Sequence, residues 1–123
     1  MLTDSQIARL LDIANAGCHK GLVLEARTIY DGVLAVRPAH VPALIGQALS
    51  HIVIGEYEEA EKLLRNGILS EHPEDADAQA MLGLCLCLAD KKDEAREVLR
   101  PLSEKDGSAS ELARSLMEQL DRE

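Results

Sequence analysis

The chain has 123 residues, of which 46% are hydrophobic and 28% are charged, and this composition is typical of a folded domain rather than a disordered chain. Its net charge of −9 argues against nucleic acid as a partner, because phosphate binding requires a basic face. The absence of Phe and Trp also removes the rings on which bases stack. We predict one domain over residues 1–123 that does not bind nucleic acid.

The N-terminus and the cysteines bear on localisation. The first six residues lack the basic and apolar regions of a signal peptide, and no apolar run approaches the roughly 20 residues that span a bilayer. Three cysteines, Cys18, Cys85 and Cys87, are an odd number in a chain long enough to form its own core. This favours a reducing compartment over a disulfide framework. We expect a cytoplasmic protein without a membrane span.

A first helical hairpin is predicted over about residues 7–40. Thr3 and Gln6 have the spacing of a capping box, and apolar residues then recur at helical spacing. A second helix is predicted from about 22 to 36, because Pro38 pushes the residue before it out of helical geometry.

A second hairpin is predicted over about residues 41–75. Pro42 suits a first helical turn, where its missing N–H costs nothing. Gly55 is predicted to end this helix, and Tyr57 to Leu69 are predicted to form the next one.

A third hairpin is predicted over about residues 76–109, with its turn at Asp90. Pro101 conflicts with a continuous second helix, because it removes a backbone hydrogen bond and clashes with the preceding turn. We therefore expect a helix end or a kink near Arg100. A capping helix is predicted over about 110–121.

The three hairpins are related by an internal repeat. Ala26, Ala60 and Ala95 each follow a Glu and lie 34 and then 35 residues apart. A period of this length, made of two helical segments, is typical of a helical hairpin array.

The pattern resembles the tetratricopeptide repeat, a 34-residue helical hairpin with small residues at fixed positions. The matching residues are Ala14, Ala48 and Gly83 at position 8, Gly21, Gly55 and Asp90 at position 15, the three alanines at position 20, and Tyr30, Leu64 and Leu99 at position 24. Position 27 holds Val33, Gly67 and Leu102, and one residue is inserted near His72. The resemblance implies an all-α fold of three hairpins in a right-handed α-solenoid with a C-terminal capping helix.

In that family, positions 2, 5, 9, 12 and 13 of each first helix line a concave surface. The resemblance places there Ala8, Leu11, Asn15, Cys18, His19, Pro42, Ile45, Leu49, Ile52, Val53, Asp77, Ala80, Leu84, Cys87 and Leu88. Members that clamp a peptide carboxylate use Lys, Asn and Arg at these positions. This chain has one Asn and neither Lys nor Arg there, which disfavours a carboxylate clamp.

Ten of these residues form a predicted partner-binding surface, which we call the apolar groove. They are Leu11, Asn15, Ile45, Leu49, Ile52, Val53, Ala80, Leu84, Cys87 and Leu88. An apolar surface made by helices suits an amphipathic helix with anchors at i, i+3, i+4 and i+7. Three readings stay open: an external helix, covering by the C-terminal helix or a second copy, and a misassigned face.

Small acidic proteins of about three such repeats resemble the bacterial type III secretion chaperones. Those proteins hold the C-terminal helix of a needle subunit, often beside a small helical co-chaperone. The resemblance implies a cytoplasmic chaperone for a short amphipathic helix. The alternative is a general adaptor or scaffold in a larger complex, including a homodimer whose groove is self-covered.

The candidate catalytic and metal-binding residues are not spaced to form a site. Cys85 and Cys87 point roughly 200° apart on a helix and cannot chelate one metal without unwinding it. Cys18 and His19 are adjacent on a helix and face different directions. His51 is predicted to pack as a substitute for an aromatic residue, with a polar contact as the alternative. We predict no enzyme activity, cofactor or metal.

Overall fold

The computed structural model describes residues 2–122, and within this range the chain forms α-helices, one π-helical segment and no strand. The elements are α1 Asp4–His19, α2 Val23–Val36, α3 Val41–Val53, α4 Tyr57–Lys62, a π-helical segment Leu63–Leu69, α5 Ala76–Leu88, α6 Lys92–Ser103 and α7 Ser108–Arg122. The predicted all-α helical repeat fold is confirmed.

The helices fall into two compact units. Unit 1 ends at Glu56 and holds α1 to α3, and α3 packs against both α1 and α2. Unit 2 begins at Tyr57 and holds the remaining elements, and α7 packs against both α5 and α6. The predicted middle hairpin therefore has its first helix in unit 1 and its second in unit 2. The prediction of one domain stays a prediction.

Each unit has an apolar core. In unit 1 the buried cluster consists of Ile7, Leu11, Ala14, Cys18, Ala26, Tyr30, Val33 and Ala43. In unit 2 the largest fully buried apolar side chains are Leu64, Ile68, Leu82, Leu86, Leu99, Leu102 and Cys85. Each buried Leu or Ile contributes about 1.5–3 kcal/mol, so these residues provide the main stabilisation of the helix packing.

Side chains cap the starts of two helices. The predicted capping box of α1 is present, because Thr3 Oγ1 accepts a bond from Gln6 N at 3.2 Å and Gln6 Oε1 accepts one from Thr3 N at 2.9 Å. Asp75 caps α5 by accepting a bond from Ala78 N at 2.9 Å. Pro42 lies in the first turn of α3, as predicted.

The three position-15 residues adopt the same unusual backbone conformation. Gly21, Gly55 and Asp90 have φ values of 86°, 81° and 62°. The following residue in each case donates a bond five residues back, from Leu22 N to Gly17 O (2.8 Å), from Glu56 N to His51 O (2.8 Å) and from Lys91 N to Leu86 O (2.9 Å). This is the Schellman arrangement, in which a left-handed residue satisfies the last carbonyls of a helix.

We expect Asp90→Gly to raise the free energy of unfolding by about 0.5–1 kcal/mol, because Gly adopts a positive φ without strain. The Asp90–Lys92 ion pair is solvent-exposed at 3.7 Å, so its loss matters little. Urea denaturation measures the change. The control is Gly55→Ala, which meets no atom within 4 Å and should lower the same quantity by about 1–2 kcal/mol. Destabilisation by Asp90→Gly would contradict this account.

The second helix of the middle hairpin is not a regular α-helix. It was predicted to run from Tyr57 to Leu69, but the α-helical geometry ends at Lys62 and the chain continues as a π-helical segment. A π-helical turn holds more residues than an α-helical turn, so it is a place where a helix can accommodate an inserted residue.

The burial pattern locates the inserted residue in this segment. Ile68 is fully buried and Gly67 is exposed, whereas position 27 of the other repeats is buried. Ile68 O accepts a bond from His72 N at 2.9 Å, just as Val33 O accepts one from Arg37 N at 2.8 Å. The extra residue therefore lies between Leu64 and Ile68, and the expected position near His72 is wrong.

Deletion of Gly67 should be tolerated, because it restores a regular α-helical register that keeps Ile68 buried. We expect the free energy of unfolding to change by less than about 1 kcal/mol. The matched control is deletion of Glu74, which shortens a turn of unaltered length and displaces the Asp75 cap, at a cost of about 2 kcal/mol or more. Thermal and urea unfolding measure the loss of stability in both variants. A larger loss for the Gly67 deletion than for the Glu74 deletion would place the inserted residue in the turn.

Pro101 does not end the last repeat helix. It lies inside α6, which continues to Ser103, so the alternative of a helix end near Arg100 is wrong. Pro101 removes only the bond to the carbonyl of Glu97, which is an exposed residue, while Leu102 just beyond it is buried. Burial of Leu102 stabilises this final turn.

The C-terminal helix is fixed to its unit by backbone carbonyls. Arg114 Nη1 donates to Ser103 O and to Lys105 O, both at 2.9 Å, and Arg96 Nη2 donates to Leu120 O at 3.2 Å. The helix begins at Ser108 rather than near Ser110. None of the helices among residues 2–122 is both long enough and apolar enough to cross a bilayer.

Candidate partner-binding surface

In unit 1, α3 presents part of the predicted apolar groove. Ile45 and Leu49 are half-buried and Val53 is 40% exposed. Their spacing of i, i+4 and i+8 places them in one row along the helix. Ile52 is buried and contributes packing rather than accessible surface.

The groove residues of α1 lie beside an open pocket. Leu11 is buried with 6% of its surface exposed, and Asn15 is half-buried. The pocket has a volume of about 310 Å³ and is lined by Asp4, Ala8, Leu11, Asp12, Asn15, His40 and Pro42. Asp4 pairs with Arg37, whereas Asp12 has no ion pair within residues 2–122.

Asn15 also orients the buried Tyr30. The Tyr30 hydroxyl donates to Asn15 Oδ1 at 2.5 Å and lies 3.5 Å from Cys18 Sγ. Burial raises the pKa of Tyr30, so its hydroxyl stays protonated and keeps donating. Asn15 thus supports the core as well as the predicted groove.

Two glycines allow helices to approach closely. A Cβ at Gly46 of α3 would lie 2.2 Å from Tyr30 Cε1 of α2. In unit 2, a Cβ at Gly83 of α5 would lie 2.2 Å from Leu99 Cδ2 of α6. Each glycine therefore receives a position-24 side chain, and no larger residue fits without displacement.

Gly46→Ala should lower the free energy of unfolding by about 1–3 kcal/mol, because the new methyl group clashes with the buried Tyr30 ring. The matched control is Gly32→Ala on α2, which meets no atom within 4 Å and should raise stability by about 0.5–1 kcal/mol. Urea denaturation of both variants tests the contact. Equal effects of the two substitutions would mean that the close approach is unimportant.

In unit 2, α5 presents the remaining groove residues. Leu88 is 50% exposed, Leu84 and Cys87 are half-buried, and Ala80 is buried. Although α7 packs on α5 and α6, it leaves Leu88 exposed.

The two cysteines of α5 have different surroundings. Cys85 is buried and donates to Tyr57 O at 3.3 Å, and burial raises its pKa to about 11. Cys87 is half-buried. Within residues 2–122, no three His, Cys, Asp or Glu side chains are placed to hold a metal ion.

A polar cluster near the end of α3 was not predicted from the sequence. Arg27 Nη2 lies 2.9 Å from both Glu56 Oε1 and His51 Nδ1, and Arg27 Nε donates to the buried Ser50 Oγ at 3.0 Å. Hydrogen bonds from His51 and Arg27 lower the pKa of Glu56. His51 is therefore half-buried in a polar contact rather than packed as a purely apolar substitute.

A second ionic cluster lies in unit 2. Glu61 accepts bonds from Lys91 Nζ at 2.9 Å and from Arg65 Nε at 2.8 Å. The bond with Lys91 is the main cause that lowers the pKa of Glu61 and raises that of Lys91. These residues bind each other across α4, the π-helical segment and the turn before α6, so they stabilise the fold.

The accessible groove residues in each unit are uncharged, and all of them except Asn15 are apolar. Leu11, Ile52 and Ala80 are buried, so surface for a partner comes from the other seven residues. Val53 and Leu88 are exposed, and the depth of each residue could not be read from the sequence. The assignment of these residues to a partner stays a prediction.

Comparison with known proteins bears on the family. A family model described as tetratricopeptide repeat matches residues 55–120, which is more than half of the chain. Neither the search of curated proteins nor the search of solved structures finds a match.

Proposed function

Because the chain belongs to the tetratricopeptide repeat family, whose repeats are protein-interaction modules, we propose that it is a non-catalytic chaperone for a short amphipathic helix. The client helix would bind to the apolar groove. The observation that carries the proposal is the accessible row Ile45, Leu49 and Val53 on α3, which leaves apolar surface exposed to solvent.

The spacing of the accessible residues suits a helical client. The α3 row has the i, i+4, i+8 spacing, and Leu84 and Leu88 repeat the i, i+4 spacing on α5. Side chains in such rows pack into the spaces between side chains of a second helix. Exposed apolar residues grouped in this way mark an interaction surface more often than scattered ones do.

The charges around the groove indicate which clients fit. None of its ten residues is Lys or Arg, so an acidic peptide or a free carboxylate finds no cation there. Asp12 beside Leu11 is unpaired within residues 2–122 and would favour a client with basic residues flanking its apolar anchors.

We further propose that the chain acts in the cytoplasm and that its client is a subunit of a secretion apparatus. The basis is the resemblance of a small acidic three-repeat protein to type III secretion chaperones that hold a needle subunit, beside a small helical co-chaperone. A subunit that polymerises through a helix stays monomeric while that helix is covered. The apolar character of the groove is compatible with this role.

The competing function is that of an adaptor or a homodimer that covers its own groove. The exposed Leu88 bears on this alternative, because α7 leaves it accessible and a second copy would have to cover it. Capture of partners by wild-type and variant chains separates the two functions.

Leu88→Lys should abolish client binding, with a loss of affinity of more than about tenfold, because a charge replaces an apolar anchor. The matched control is Leu112→Lys, an equal change at a residue of α7 that is 40% exposed and outside the groove. Tagged wild-type and variant chains are used to capture partners from a lysate of the source cells, followed by mass spectrometry.

A small helical protein that is captured by the wild type and by Leu112→Lys, but not by Leu88→Lys, supports the chaperone. Capture of large partners that are indifferent to Leu88→Lys supports the adaptor. A wild-type dimer that Leu88→Lys converts to a monomer in light scattering supports the self-covered groove. Far-UV circular dichroism confirms that both variants keep their helical content.

A further inference from the structure

The outward face of α1 is a second surface, separate from the apolar groove. At about 100° per residue, its six members within α1 fall within an arc of about 120°, and Leu2 and Lys20 lie just beyond the two ends of the helix. They are Leu2, Gln6, Arg9, Leu10, Ile13, Ala16, Gly17 and Lys20. The groove residues Leu11 and Asn15 point about 160° away from Ile13. We call this arc the outward face.

The outward face is apolar at its centre and accessible. Ile13 is 56% exposed and, with Leu2, Gln6, Arg9 and Leu10, lines an open pocket of about 250 Å³. Further along, Leu22 is 50% exposed, and its Cβ lies 3.8 Å from the position that a Cβ on Gly17 would take. Apolar surface thus extends along most of α1.

Unit 1 itself shows what packs on this kind of face. One repeat later, residues 9, 13 and 16 correspond to Ala43, Gln47 and Ser50 of α3. Ala43 and Ser50 are fully buried, and Gln47 Nε2 donates to Asp31 Oδ1 of α2 at 2.5 Å. The equivalent face of α3 is therefore covered by a helix that presents an acid to it.

The charges on the outward face indicate an acidic occupant. Arg9 and Lys20 have no ion pair within residues 2–122, and neither acid of α1, Asp4 or Asp12, falls in the arc. Pairing of two copies through this face would bring four cations together without an acid. Self-association through α1 is therefore disfavoured by charge repulsion.

We propose that the outward face of α1 binds an acidic amphipathic helix of another protein. The apolar residues of that helix would contact Ile13 and the pocket beside it, and its Asp or Glu side chains would pair with Arg9 and Lys20. The helix would lie on α1 as α2 lies on α3. This binding is independent of the apolar groove.

The test uses the full chain and a labelled synthetic helical peptide of about 18 residues, which matches the roughly 27 Å length of the face. One peptide carries Leu at i, i+4, i+7 and i+11 flanked by Glu, and its partner peptide carries Lys in place of Glu. Fluorescence anisotropy should show binding of the Glu peptide at least about tenfold tighter than binding of the Lys peptide, weakening as salt is raised.

Variants locate the peptide. Ile13→Glu should weaken binding of the Glu peptide about tenfold or more, since it removes the central anchor and adds repulsion. Val36→Glu is the matched control, because Val36 is 58% exposed and lies on α2, and it should leave affinity within about twofold. Arg9→Gln combined with Lys20→Gln should reduce both the affinity and its salt dependence.

Other outcomes overturn the proposal. These are absence of Glu-peptide binding, equal binding of both peptides, or binding that survives Ile13→Glu. A dimer that only Ile13→Glu disrupts would assign the face to a second copy. Binding to anionic vesicles in place of the peptide would assign it to a membrane. Leu88→Lys should leave Glu-peptide binding unchanged, so a failure of the groove proposal and a failure of this one are distinguishable.

Discussion

The packing within each unit depends on a glycine that leaves space for a neighbouring side chain. Gly46 admits the Tyr30 ring between α2 and α3, and Gly83 admits Leu99 between α5 and α6. Because protein interiors are close-packed, a contact of this kind sets the distance between two helix axes. The two glycines therefore set how closely α3 approaches α2 in unit 1 and how closely α5 approaches α6 in unit 2.

The turns between paired helices impose a second constraint. Each requires a left-handed residue at position 15, and the bond that spans five residues closes the helix. Glycine meets this requirement at residues 21 and 55, whereas Asp90 adopts the same positive φ with a side chain that disfavours it. The repeat is therefore visible in the sequence through a backbone requirement and a packing requirement, both of which restrict residue size.

Local backbone and packing requirements are predictable from the sequence, whereas burial in the folded chain is not. Helix number, the Thr3 cap and the repeat positions follow from local patterns, and the structure has them. The π-helical segment was missed because an extra residue in a helix or in the following turn gives the same spacing of Ala60 and Ala95. Burial of Ile68 distinguishes the two, and burial is a tertiary property. For the same reason the resemblance to the repeat family predicted a groove face without revealing that Leu11 and Ala80 are buried.

The two proposed surfaces of α1 differ in charge as well as in direction. Asp12 lies by the groove, none of whose ten residues is Lys or Arg, whereas Arg9 and Lys20 belong to the outward face, none of whose eight residues is Asp or Glu. A client with basic flanks would be repelled by the outward face, and an acidic helix would be repelled near Asp12. Specificity then comes from unfavourable pairings as much as from favourable ones. A single helix could hold two different partners without competition, because the two faces point about 160° apart.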